Sequence, residues 1–252
     1  MPARILGIVS IKGGVGKTTS TVNIGTALSE MNKKVLLVDA DFGSPNLALH
    51  FGIVNPSKTL NMVFQGKMAP HEAIQRYNDS LDVMPCSVIT QKVHPALLKE
   101  KLQPLRKLYD YILIDASPTL NETMLATILA SDELLVVTSP DYPTLNATLY
   151  AVRVARKQKT PIAGLLVNRI RGKKFELTRQ EIEDAAGVPV IGAIFDDLAV
   201  PASVAQTEPA LQFKPWAHSS RAYRQVAAHI ADETSADGFF SSLRRWFENR
   251  RR

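Results

Sequence analysis

Residues 7–19, "GIVSIKGGVGKTT", decide how this chain is read. They follow the phosphate-loop pattern G-x-x-x-x-G-K-[ST], with Gly16, Lys17 and Thr18 in register. Two positions depart from it. The first glycine is replaced by Ile11, and the next residue is a second lysine, Lys12. A β-rich apolar run, "RILGIVS" (4–10), precedes the loop, and a helical pattern over 17–31 follows it. In that strand–loop–helix context, Gly13, Gly14 and Gly16 let backbone N–H groups, with those of Val15 and Thr19, converge on phosphate oxygens. The helix N-terminus adds its partial positive charge at the same place. Lys17 is expected to reach the β- and γ-phosphates, and the Thr18 hydroxyl to hold Mg²⁺.

Outward from the loop, short Val/Ile/Leu runs alternate with helical patterns. Strands are predicted at 4–10, 34–39, 81–85, 111–115, 133–139, 163–168 and 189–194. Helices are predicted at 17–31, 94–108, 120–130, 143–157, 177–186 and 219–231. Continuous apolar strands suit burial on both faces, so the expected fold is α/β, a doubly wound and mostly parallel sheet with helices on both sides. The expected division is an ATPase domain over 1–230, a polar linker over 231–237 and an amphipathic helix over 238–252.

Composition narrows the function. The 252 residues are 45% hydrophobic and 21% charged, as in an ordinary soluble domain, and no run is long enough to span a membrane. The single cysteine, Cys86, excludes an internal disulfide and a multi-cysteine cluster within one chain, and makes a cytoplasmic home the default. The net charge of +6 is concentrated at the end of the chain. Residues 238–252 carry five arginines and one glutamate, against 25 basic and 23 acidic groups in the rest.

"KGGVGKTT" resembles the deviant phosphate loop of the MinD/ParA ATPases. The resemblance implies that Lys12 serves the partner's nucleotide when two subunits sandwich two ATP molecules, which would couple dimerisation to a bound triphosphate. Other family elements follow in order. "VLLVDADFGSPNL" looks like the first switch, with Asp39 on the metal side and Asp41 positioning or polarising the attacking water. "YDYILIDASPTLNE" resembles a Walker B strand, its Asp115 binding Mg²⁺ through water, with a second switch beginning at Pro118. This chain reads Ala116-Ser117-Pro118-Thr119 where the family often has a proline–alanine–glycine or a double proline. Asn168-Arg169 in "LLVNRI" matches the adenine-side pair, and "IFDDLAVPASVAQTEPAL" resembles the adenine-flanking segment with Asp196, Val200 and Pro201. ATP is expected over GTP because no N/T-K-x-D guanine motif is present.

The tail, "GFFSSLRRWFENRRR" (238–252), places Phe239, Phe240, Leu243, Trp246 and Phe247 within a sector of roughly 120° on a helical wheel. Arg244 and Arg245 sit off that sector, the pattern of a helix lying at a membrane surface. The alternatives are a terminal helix packed on its own domain and an arginine-rich end contacting DNA phosphate. Burial of such side chains contributes at most ~1.5–3 kcal/mol each, and basic residues near an anionic leaflet about 1 kcal/mol apiece. Ordering the tail costs on the order of 1–2 kcal/mol per residue, so one tail binds weakly and two on a dimer gain avidity. The tail resembles that of the MinD branch. The expectation is therefore a slow Mg²⁺-dependent ATPase that dimerises across ATP and attaches reversibly to an anionic membrane surface, peripherally on the inner face. There it would position a structure such as the division site, with an activating or effector protein as a further partner. The alternative is a ParA-type ATPase acting on DNA or a protein cargo, which the charge balance of the body favours less.

Overall fold

The computed structural model describes residues 2–88, 94–119 and 121–232. The predicted membrane residues Phe239, Phe240, Leu243, Arg244, Arg245, Trp246 and Phe247, and most of the linker, lie outside the described residues. In chain order the elements are β1 (Arg4–Val9), α1 (Lys17–Glu30), β2 (Val35–Ala40), α2 (Leu60–Phe64), β3 (Gln75–Arg76), β4 (Leu81–Met84), α3 (Pro95–Leu102) and β5 (Tyr111–Ala116). There follow α4 (Glu122–Ala130), β6 (Glu133–Thr138), α5 (Tyr142–Lys157), β7 (Ile162–Ile170), α6 (Arg179–Ala186), β8 (Val190–Phe195), α7 (Ala199–Ala205), α8 (Ala210–Phe213) and α9 (His218–Ile230).

The strands form one sheet in the order β3-β4-β2-β5-β1-β6-β7-β8. All pairings are parallel except β3 with β4 at one edge. Every residue of β2 is buried, as a strand covered on both faces requires. On one face, α1 and α9 pack through Val22, Leu28, Tyr223 and Val226. On the other, α4, α5 and α6 cover β6 and β7 through Ile128, Val152 and Ile182, and α3 joins α4 over β2 and β5 through Leu98 and Leu102.

All seven predicted strands form. The predicted helix over 94–108 is corrected: α3 ends at Leu102, and Gln103–Lys107 continue as a 3-10 turn. Pro104 explains the change, since its missing N–H and its ring cannot continue the α-helical ladder.

Chain direction along the sheet reverses beside β1. The chain leaves β1 through α1 towards β2 on one side, and leaves the adjacent β6 through α5 towards β7 on the other. A crevice therefore opens at the carboxyl end of β1, where such sheets hold ligands. The phosphate-loop sequence begins there.

Candidate functional site

Residues 10–16 join β1 to α1 without regular structure beyond turns. Gly14 and Gly16 take φ +78° and +95°, left-handed values that an L side chain resists. Gly16 has a second constraint: a Cβ there would collide with the side-chain amide of Asn168. That amide donates from Nδ2 to the Val15 carbonyl at 2.8 Å, while Arg169 Nη1 donates to the Gly14 carbonyl at 2.8 Å. Arg169 itself sits at φ +60°. Asn168 and Arg169, separated from the loop by about 150 residues of chain, thus clamp two of its carbonyls. The side chain of Val15 joins the core, so this residue offers only backbone to a ligand.

A cleft of about 690 Å³ runs from this loop across the carboxyl end of the sheet. Gly13, Gly14, Gly16, Lys17, Thr18 and Thr19 line one end. Asn168 and Arg169, against the loop, line the cleft too, together with Asp196, Val200 and Pro201. Asp196 also pairs with Arg171 at 3.4 Å. Asp41 and Pro118 reach the cleft from the segments that follow β2 and β5.

Lys17 is 7% exposed. Burial lowers its pKa, opposed by the charges of Asp115 and Asp41. Thr18 Oγ1 donates to Asp115 Oδ2 at 2.6 Å, and Thr21 Oγ1 to Oδ1 at 3.3 Å. Burial pushes the Asp115 carboxyl up to about 6, restrained by the Thr18 hydrogen bond and by Lys17. Asp39 lies directly opposite Asp115 on the neighbouring strand. Burial, and then the Asp115 charge, push it up to about 8. Its oxygens accept the N–H groups of Asp41 at 3.0 Å and Leu47 at 3.1 Å, which shapes the segment after β2. Asp41 Oδ1 accepts from Gly43 and Ser44, so its carboxylate is fixed by its own turn at the cleft wall.

These groups fit a magnesium–nucleotide. The oxygen donors Thr18, Asp39 and Asp115 suit a hard cation, and two opposed buried carboxylates with raised proton affinity favour positive charge nearby. Among the described residues no cluster of three or more acidic, histidine or cysteine side chains could hold a metal alone. Mg²⁺ is usually held by one or two carboxylates together with substrate phosphates, so the sparse donor set suits it. Open space beside Gly13 and Gly14, where a Cβ would meet nothing within 4 Å, leaves the loop accessible.

Lys12 is placed differently from Lys17. Its ammonium donates to Thr144 Oγ1 at 2.7 Å and to Asp141 Oδ1 at 3.3 Å. It borders a separate pocket of about 280 Å³ with Ser139, Asp141 and Phe175, and does not line the main cleft. Asp141 caps α5 by accepting the Thr144 N–H at 2.9 Å. Burial would raise its carboxyl, but the hydrogen bonds from Ser139, Thr144 and Lys12 outweigh this and hold it down at about 2.

Sequence reasoning missed Asp141, Thr144, His50 and Tyr223. The first two grip Lys12, and the other two line the cleft. "DYPT" (141–144) is a legible helix start, with an acidic cap followed by proline near the first turn. Nothing in it names the lysine it would hold. His50 is buried in a 3-10 turn that follows β2, Leu47–Phe51, and burial lowers its pKa.

A family model described as an AAA domain matches residues 3–160. The septum site-determining protein MinD of Bacillus subtilis is 31% identical over 90% of this chain and 88% of its own length. The crystal structure of the cell division ATPase MinD from Pyrococcus furiosus is similar at 32% identity, with a TM-score of 0.86 over 92% of this chain and 100% of that one. The Pyrococcus horikoshii septum site-determining protein MinD complexed with Mg-ADP superposes with a TM-score of 0.85 at 31% identity, over 90% of this chain and 96% of that one.

Proposed function

The chain belongs to the MinD/ParA family of P-loop ATPases, and on that premise we propose that it is an ATP-driven membrane switch. It binds ATP with Mg²⁺, dimerises, attaches reversibly to an anionic membrane surface on its inner face, and is released after hydrolysis. Attached there, it positions a cellular structure such as the division site, with an effector protein stimulating turnover. Among the described residues no helix is long and apolar enough to cross a membrane, so the attachment in this reading is peripheral and falls to residues 238–252.

In this reading the loop N–H groups and Lys17 bind the β- and γ-phosphates and disperse their charge. Thr18 and Asp115, joined by their 2.6 Å hydrogen bond, hold the metal with Asp39 nearby. Mg²⁺, when bound, neutralises phosphate charge and orients the triphosphate. Asp41 orients and polarises the attacking water from the cleft wall, and Asn168, Arg169 and Pro201 flank the adenine.

The observation that carries the switch reading is the placement of Lys12. A lysine of the phosphate loop that is held outside its own cleft, on Asp141 and Thr144, suits service to a nucleotide presented by a second subunit. Sedimentation with anionic vesicles, set beside binding to duplex DNA, each with ATP and with ADP, tests the proposal. Vesicle binding that requires ATP is expected. ATP-dependent DNA binding without vesicle binding would favour a ParA-type role and overturn the membrane assignment.

A further inference from the structure

We infer that the end of the sheet opposite the nucleotide cleft is itself a lipid-facing surface, with Lys34, Lys107, Lys157 and Lys159 lying against anionic headgroups beside the tail. The inference rests on the membrane reading above and adds a second contact, made by the folded body.

The described chain ends at this surface. Arg4, at the first residue of β1, donates to the Ile230 carbonyl at 2.7 Å and lies 3.6 Å from the Asp232 carboxylate. The described chain therefore ends, at Asp232, beside the amino-terminal end of β1. The four lysines flank that point. Lys34 precedes β2 and Lys107 precedes β5, while Lys157 ends α5 and Lys159 precedes β7. Both β2 and β7 stand two strands from β1. At about 4.8 Å per strand, that sets their amino-terminal ends roughly 10 Å to either side of the exit point.

All four lysines are exposed, and none forms an ion pair among the described residues. Three acids at the same end are paired with arginines. Asp132 pairs with Arg106, Glu133 with Arg4 and Glu30 with Arg224. Asp110 accepts the Lys34 N–H, Asp184 accepts from Gln180, and Asp79 is exposed in the turn before β4. Lysine at a helix end complements the helix dipole, which accounts for Lys157 but not for Lys34 and Lys159 beyond helix ends. Leu108, 53% exposed beside Lys107, adds an apolar contact at the same edge. The buried carboxylates of the body sit at the cleft end, and these four exposed lysines sit at the other, where the described chain ends.

The test uses the full chain with K34Q, K107Q, K157Q and K159N combined. Asparagine is the neutral choice at 159 because Lys159 adopts φ +58°. Binding to vesicles of phosphatidylglycerol mixed with phosphatidylcholine is measured with ATP, beside a chain lacking residues 238–252. Each lysine within reach of an anionic surface contributes about five-fold to partitioning, so the quadruple variant is expected to lose at least ~10-fold, with its ATPase rate unchanged. The loss should shrink at high salt and vanish on vesicles without anionic lipid. Wild-type partitioning by the quadruple variant, while deletion of the tail abolishes binding, would overturn the inference and leave the membrane reading intact. Failure of the wild type itself to bind would overturn both. Loss of duplex DNA binding with unchanged vesicle binding would reassign the surface to nucleic acid and also overturn it.

Discussion

The side-chain amide of Asn168 occupies the space that any side chain at position 16 would need. Gly16 is held at φ +95°, so Gly16→Ala meets both a steric and a conformational penalty. The variant should lose about 1–3 kcal/mol of stability in urea unfolding, together with nucleotide binding. Gly13→Ala should unfold like wild type, since its Cβ would enter open space, yet bind nucleotide more weakly because that space faces the cleft. Equal unfolding midpoints for Gly16→Ala and wild type would contradict the clamp.

Asp41→Asn keeps an acceptor for the Gly43 and Ser44 N–H groups and removes the charge that faces the cleft. Turnover should fall by about 10²-fold or more, the scale of a lost general base, while ATP affinity stays within a few-fold. Asp115→Ala should instead weaken nucleotide binding in the presence of Mg²⁺, because Thr18 loses its partner. Isothermal titration with and without Mg²⁺ separates the two, and wild-type turnover in Asp41→Asn would remove Asp41 from the chemistry.

Asp141 caps α5 and should contribute stability of its own. Asp141→Ala should cost about 1 kcal/mol, the usual value of a helix N-cap. The folded-state carboxyl is held at about 2, below its ordinary 3.8, so its contribution is complete above the ordinary value and is lost as pH falls through the lower one. The difference in unfolding free energy between wild type and Asp141→Ala should therefore be flat between about pH 5 and 8 and shrink below about pH 4. A difference that grows on acidification would refute the assignment.

Much of this was legible before any coordinates. Most of the seven predicted strands announce themselves because strands buried on both faces must be continuously apolar, and the phosphate loop is a contiguous motif. What escaped was too short or too distant. Two-residue β3, four-residue α8, and α2 and α7 of five and seven residues do not complete enough turns or alternations to show a period. The grip of Asp141 and Thr144 on Lys12 joins positions about 130 apart and follows only from β1 and β6 being neighbours. The Asn168-Arg169 pair could be placed at a strand end, but its hold on the Val15 and Gly14 carbonyls could not. Asp39 was expected beside a metal, and its bonds to the Asp41 and Leu47 N–H groups give it a backbone-shaping task that composition does not reveal.

The tail is expected to be separable from the ATPase body. Removal of residues 238–252 should leave ATP binding and dimerisation intact and abolish vesicle binding. Trp246→Glu should act almost as strongly by placing a charge amid the apolar sector. Arg244→Glu with Arg245→Glu should weaken binding mainly to anionic vesicles, with salt masking the difference. Trp246 fluorescence should shift to the blue only when ATP and vesicles are both present. A blue-shifted, quencher-protected Trp246 in the vesicle-free monomer would place the tail on its own domain instead.

The central claim is that two lysines five residues apart act on different nucleotides, Lys17 on its own and Lys12 on the partner's. Light scattering of the purified protein with non-hydrolysable ATP, run beside a nucleotide-binding titration, tests it directly. Lys12→Ala should bind nucleotide like wild type and remain monomeric, because its ammonium rests on Asp141 and Thr144 and does not line its own cleft. Lys17→Ala should fail to bind at all. A Lys12→Ala protein that forms the ATP-dependent dimer as readily as wild type would contradict the account.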